Sequence, residues 1–227
     1  MKKPVVDYRK LRLNNLNSPE FSHVKLLLGW VGYFILFFLT ENLIPYEKCH
    51  VIHIHLDDLI PFMEIFVIPY CVWFLLVAGS LLYYFLYDIP RFRQLQTFII
   101  ITQIIAMIVY ICYPSIQNLR PEVFPRENFF TWVLGLIYAF DTPTGVFPSL
   151  HVAYSFGIAS VICKDDHASK WVKAGIVLLA LIISAATCFV KQHSAADVFA
   201  GAIVGLFTEI LVFGKSHWAA KIKKKKP

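Results

Sequence analysis

Long uncharged apolar runs alternate with short polar stretches along most of this chain. A bilayer core takes about 20 mostly apolar residues in helical form. Six segments reach or approach that length: 26–45, interrupted late by Glu41; 65–87, which carries no charge; 94–113, apolar above all from Phe98 to Cys112; 148–163; 171–190; and 195–214, with one acid, Glu209. The pattern predicts an all-α integral membrane protein with six transmembrane helices in one bundle. No signal-peptide cleavage pattern precedes the first segment, so it reads as a retained span. Residues 128–140 (NFFTWVLGLIYAF) are apolar but too few to span, which suits a short interfacial or re-entrant helix. The organisation expected is a tail over 1–25, a membrane domain over 26–214 and a basic tail over 215–227.

Composition removes the soluble alternative. Hydrophobic residues are 58% of the 227 and charged residues 16%. A soluble fold of this size has no interior for so much apolar surface. Disorder and a disulfide-framed secreted module fall with the same figures. The net charge of +6 changes the picture through its placement. With a cytoplasmic N-terminus, only Lys48, Arg120, Arg126 and Lys191 fall outside, leaving 17 of the 21 basic residues inside. That split predicts both termini in the cytoplasm. No basic stretch with interleaved aromatics reads as a nucleic-acid surface. The five cysteines show no paired spacing: Cys71, Cys163 and Cys188 fall in or beside apolar runs, and Cys49 and Cys112 share one side.

Three patches then fall on the outer side: Arg120-Pro121; Phe147-Pro148-Ser149-Leu150-His151; and Lys191-Gln192-His193-Ser194-Ala195-Ala196-Asp197. The span count did not use these residues, yet it brings them to one membrane depth. His193 and Asp197 are four apart and share a helix face. A carboxylate beside one imidazole nitrogen fixes the tautomer and makes the other nitrogen more basic. His151 suits the protonation of a leaving oxygen. Pro148 fits a first helical turn, whose free N–H groups, with the Ser149 hydroxyl, make an anion site. Arg120 and Lys191 add positive charge, or else are interfacial side chains with their charges in water. Together these groups describe phosphoryl transfer through a phosphohistidine better than acyl transfer.

These residues resemble the type 2 phosphatidic acid phosphatase superfamily. Its pattern is Lys, six residues, Arg-Pro; then Pro-Ser-x-His; then Ser-Arg, five residues, His, three residues, Asp. Arg120-Pro121, Pro148-Ser149-Leu150-His151 and His193 with Asp197 match it, within 113–197, and the resemblance covers roughly 98–214. It implies His193 as nucleophile, Asp197 as its orienting partner, and His151 as acid and then base. Ser149 and Arg120 would hold the phosphate oxygens. It also implies a metal-independent enzyme without cofactor, acting on a lipid phosphate among membrane lipids, on the outer face (the plasma membrane if the source is bacterial). Tyr113 stands where the pattern has its first lysine, and Ala186-Thr187 where it has Ser-Arg. Lys191 and Arg126 are the cations that could compensate.

Phe-Pro-Ser-Leu-His, and a last patch without its arginine, look more like the inositolphosphotransferase branch, the inositol phosphorylceramide synthases and their relatives. Those enzymes pass a phosphoryl-linked headgroup to an alcohol. The readings are thus a lipid phosphatase or phosphotransferase; an inositolphosphotransferase-like headgroup transfer; and a non-catalytic lipid-binding or transport protein that keeps the fold. The cluster Cys49, His50, His53, His55, Asp57, Asp58 reads as a metal site, a headgroup-contacting surface or a solvated interfacial segment. Glu209 reads as an acid that snorkels or pairs.

Overall fold

The structure, a computed structural model, describes residues 3–224, with side chains through Gly214; the last three residues of the basic tail lie outside the described residues. Its chain order is α1 (Leu28–Leu43), β1 (His50–Val51), α2 (His55–Leu59), α3 (Val67–Tyr87), α4 (Ile89–Cys112), β2 (Ser115–Ile116), α5 (Phe129–Phe140), α6 (Leu150–Cys163), α7 (Lys170–Phe189) and α8 (Ala195–Lys224). Helix starts follow local chemistry. Asp88 accepts from the Arg91 N–H and Pro90 sits in the first turn of α4. Asn128 accepts from two N–H groups of α5, and Ser169 caps α7.

Among the described residues, five helical stretches are long and apolar enough to cross a membrane: Ser22–Leu43, Glu64–Tyr87, Ile89–Cys112, Lys170–Phe189 and Ala195–Gly214. The chain is a multi-pass, helical membrane protein, with one short strand pair among the described residues. The expected fourth span is where the six-span reading and the structure part. Helix α6 has 14 residues, about 21 Å at 1.5 Å per residue. It does not need a lipid-facing length, because it lies among α3, α4, α7 and α8 and buries nine of its residues. Helix α5 is the other short apolar helix.

Close approach at the centre depends on glycine. A Cβ on Gly157 of α6 would collide with the Phe98 ring of α4, and one on Gly201 of α8 with the Ser149 carbonyl. Around these crossings Phe92, Leu95, Phe98 and Ile99 of α4 pack against Tyr154 and Ile158 of α6. Helix α1 leans on α4 at the edge of the bundle.

The two ends of the bundle differ. At one, the segment expected as a tail is folded onto α3: the Tyr8 hydroxyl donates to the Phe85 carbonyl at 2.6 Å, and the Val5 N–H to Leu86 at 2.8 Å. Arg91 pairs there with Asp88 at 2.7 Å and Asp165 at 3.3 Å. Glu209 is paired, with Lys164 and the Ser160 hydroxyl. At the other end, β1 and β2 pair in parallel, His50 with Ser115 and Val51 with Ile116. Ile116 also bridges to Thr144, and the Gly145 N–H donates to Ser115 O at 2.9 Å. This small frame ties segment 46–60 and the α5–α6 connection to the starts of α6 and α8.

Candidate active site

Helix α7 ends in a tight turn that presents His193. Val190 closes the helix on Ala186 O, and the N–H groups of Gln192 and His193 both donate to Thr187 O, at 2.9 and 3.1 Å. Lys191 takes the left-handed conformation there, with φ 53°, which usually suits glycine. Its ammonium donates to the carbonyls of Ile60, at 2.6 Å, and Asp57, at 3.1 Å.

Lys191, expected at the phosphate, gives two of its three ammonium N–H groups to the carbonyls of Asp57 and Ile60, which clamps segment 57–60 to the turn. Arg126, the other candidate replacement, pairs with Glu64 at 2.7 Å. Tyr113 stacks on His50, ring centres 4.2 Å apart. Thr187 is fully buried and returns its hydroxyl to Ser184 O.

The structure does gather Asp197, His193 and His151. His193 Nδ1 lies 3.2 Å from Asp197 Oδ2, and its Nε2 lies 3.3 Å from His151 Nδ1. A carboxylate can only accept, so the proton belongs on His193 Nδ1. His193 Nε2 then accepts, and His151 Nδ1 is the donor. His151 Nε2 is buried without a partner among the described residues. Asp197 is fully buried, and its Oδ2 also accepts the Ser194 N–H at 2.9 Å. The Tyr70 and Trp73 rings lie 4.8 and 4.1 Å from the His151 ring, and the Trp73 indole donates to the His151 carbonyl.

Ser149 is the N-cap of α6, so Pro148 stands before the cap and not in the first turn. The Ser149 N–H donates to Asp197 O at 3.1 Å, and its buried hydroxyl has no partner among the described residues. The first N–H groups of α6 carry the partial positive charge of a helix start beside that hydroxyl. The start of α8 is already filled: Asp57 Oδ1 accepts the Ala195 N–H at 2.7 Å, and Asp57 Oδ2 the Ser194 hydroxyl at 2.6 Å. No side chain caps the start of α6 in this way among the described residues.

Arg120 reaches the site through Gln192. Its guanidinium donates to Gln192 Oε1 and to Tyr138 O, and lies 4.6 Å over the Tyr138 ring. The Gln192 amide in turn donates to Asp141 Oδ2 at 3.3 Å. Burial lowers the Arg120 pKa from its ordinary value, with Asp141 opposing the shift. Burial raises that of Asp141, with Arg120 and His193 opposing.

Asp57, Asp141, Gln192 and Trp73 were not read from the sequence as site residues. Asp57 did carry a signal, as an acid inside the histidine-rich cluster, but its partners lie more than 130 positions away. His53 and His55 pair with Asp58 at 2.8 and 3.8 Å, and among the described residues no three metal-ligating side chains converge.

His151 and His193 sit at the polar end of a cavity of about 690 Å³ between α1 and α3. Trp30, Tyr33 and Phe37 line one side, Trp73, Val77 and Leu81 the other, and Asp141, Thr142 and Gln192 the polar end. Phe34, Phe74 and Phe140 are at once lining and exposed, so the cavity reaches the lipid-facing flank. No family model, curated protein or solved structure matches this chain.

Proposed function

We propose that this chain is a membrane enzyme that moves the phosphoryl group of a lipid or polyprenyl phosphate ester through a phosphohistidine, in the manner of type 2 phosphatidic acid phosphatases. The Asp197–His193–His151 relay, at the polar end of an apolar cavity of lipid scale, carries the reading. Entry of a phosphate opens the 3.3 Å His193–His151 contact. His193 Nε2 attacks phosphorus, the ester P–O bond breaks, and protonated His151 gives its proton to the leaving oxygen. Water or an alcohol then attacks phosphorus, the P–N bond breaks, and His151 takes the incoming proton. Asp197 stabilises the charge that His193 gains. The Ser149 hydroxyl, the first N–H groups of α6 and Arg120 hold the phosphate oxygens.

In this reading both termini are cytoplasmic and the site faces the outer leaflet, as the 17-to-4 distribution of basic residues favours. Helix α6 is the short, central fourth span of the six. The partners are the lipid phosphate and surrounding membrane lipids.

A second reading, headgroup transfer to a lipid alcohol, is favoured by the charge balance. Lys191 and Arg126 are engaged elsewhere, and Arg120 is linked through Gln192 to a carboxylate. One such cation matches a singly charged phosphodiester better than a nearly doubly charged monoester. Turnover of phosphatidic acid and phosphatidylinositol, with and without added alcohols, separates the two readings when free phosphate and transfer product are both tracked. Acid-labile, histidine-linked phosphate on the protein is expected in either case. A parent protein that turns over no lipid phosphate and holds no such phosphate overturns both.

A further inference from the structure

A carboxylate beside a phosphoryl site repels the substrate, and Asp141 lines the same cavity as the two histidines. Its place is fixed: it ends α5, with its N–H donating to Ile137 O at 2.8 Å. Yet its side chain is sparsely used. A carboxylate offers about four acceptor positions, and among the described residues the Asp141 side chain accepts only from Gln192, at 3.3 Å. Arg120 stops at Gln192 Oε1 and forms no ion pair with it. The neighbouring Thr142 hydroxyl is occupied by Glu41 and Thr144. Asp141 is thus an acceptor left largely open at the polar end of the cavity.

We propose that Asp141 is a headgroup-recognition residue: it accepts a hydrogen bond from a hydroxyl adjacent to the reacting oxygen, so that the site takes vicinal diol or polyol headgroups. This rests on the phosphohistidine reading above. An ammonium headgroup fits less well, because it would sit near the Arg120 guanidinium, whereas a hydroxyl meets no such repulsion. A neutral polyol also lessens the conflict between carboxylate and phosphate, since its hydroxyl donates to the one and its ester oxygen carries the other. The hydroxyl can arrive on the donor's headgroup, beside its ester oxygen, or on the alcohol that accepts; the chemistry at Asp141 is the same.

Two arms of one experiment separate these sources in the full-length protein. The donor arm compares dioleoyl-phosphatidylglycerol, dioleoyl-phosphatidylpropanol and dioleoyl-phosphatidylethanolamine. The acceptor arm gives dioleoyl-phosphatidic acid with glycerol or 1-propanol and follows the phosphorylated alcohol. The parent should favour the glycerol-bearing partner about tenfold or more in at least one arm, the scale of a hydrogen bond to a charged group. Asp141→Ala should reduce that preference below about threefold. Recognition by Asp141 is overturned if the parent shows no preference in either arm, if it prefers ethanolamine, or if Asp141→Ala keeps the parent's preference. The parent's preference decides alone if the variant does not fold. His193→Asn is run in parallel: turnover there at the parent's rate sinks the phosphohistidine reading itself, whereas an inactive His193→Asn beside an indifferent parent sinks only the role of Asp141.

Discussion

His193 is held from both ring nitrogens, by Asp197 and by His151, so little of its geometry is left to chance. His193→Asn removes the reactive nitrogen with little change in volume. Phosphate release and protein-bound phosphate should both vanish, while the unfolding temperature in detergent stays within a few degrees of the parent. Asp197→Asn keeps the shape but leaves the imidazole without its carboxylate. In a hydrolase triad the analogous change costs about 10⁴-fold, and turnover here should fall at least about 10²-fold. Asp57 acts one step further out, through the Ala195 N–H and the Ser194 hydroxyl. Asp57→Ala leaves both donors buried and unpaired, at a cost of about 1–3 kcal/mol each. Calorimetry should show a lower unfolding temperature together with a fall in kcat. His193, Asp197 and His151 were legible because four-residue helical spacing and span counting need no tertiary knowledge. Asp57 and Asp141 were not, since each acquires its role only when the β1–β2 frame folds segments 46–60 and 141–149 onto the α7–α8 turn. Lys191 shows the same limit: sequence gives its distance from His193 along the chain, not the two carbonyls that its ammonium meets.

Among the elements, α6 and α8 set the site by how closely they cross. Gly201 faces the Ser149 carbonyl, and Gly157 faces the Phe98 ring on the other side of α6. Each glycine-to-alanine change overpacks a crossing, at about 1–3 kcal/mol. The consequences for activity should differ. Gly201→Ala pushes the start of α6 away from Asp197 and should lower turnover more than Gly157→Ala at equal loss of stability. Equal activities in the two variants would mean that the α6–α8 distance does not govern the chemistry. Length alone made five of the helices legible as spans. At α6 the segment 148–163 was legible as a helix, but its 14 residues and nine buried side chains leave length and hydropathy without a decision on whether it spans.

For the molecule as a whole, the alternation of apolar and polar segments was enough to give a helical membrane bundle, while the folded N-terminal segment escaped notice because its contacts with α3 leave no periodic trace. Orientation is open to direct measurement. In a background without Cys49 and Cys112, a cysteine at position 124 should react with an impermeant maleimide on intact cells, and one at position 168 only after lysis. The reverse pattern would put the His193 end of the bundle in the cytoplasm.

The flank between α1 and α3 has a kinetic consequence. A cavity whose exposed walls are Phe34, Phe74 and Phe140 is reached sideways, and a substrate already dissolved in the bilayer meets it by two-dimensional diffusion. The concentration that governs the rate is then a mole fraction in the surface, not a molarity in the assay volume. Adding inert lipid or detergent at constant total substrate should slow turnover in proportion to the dilution of the surface. Adding more vesicles of unchanged composition should leave the rate per enzyme where it was.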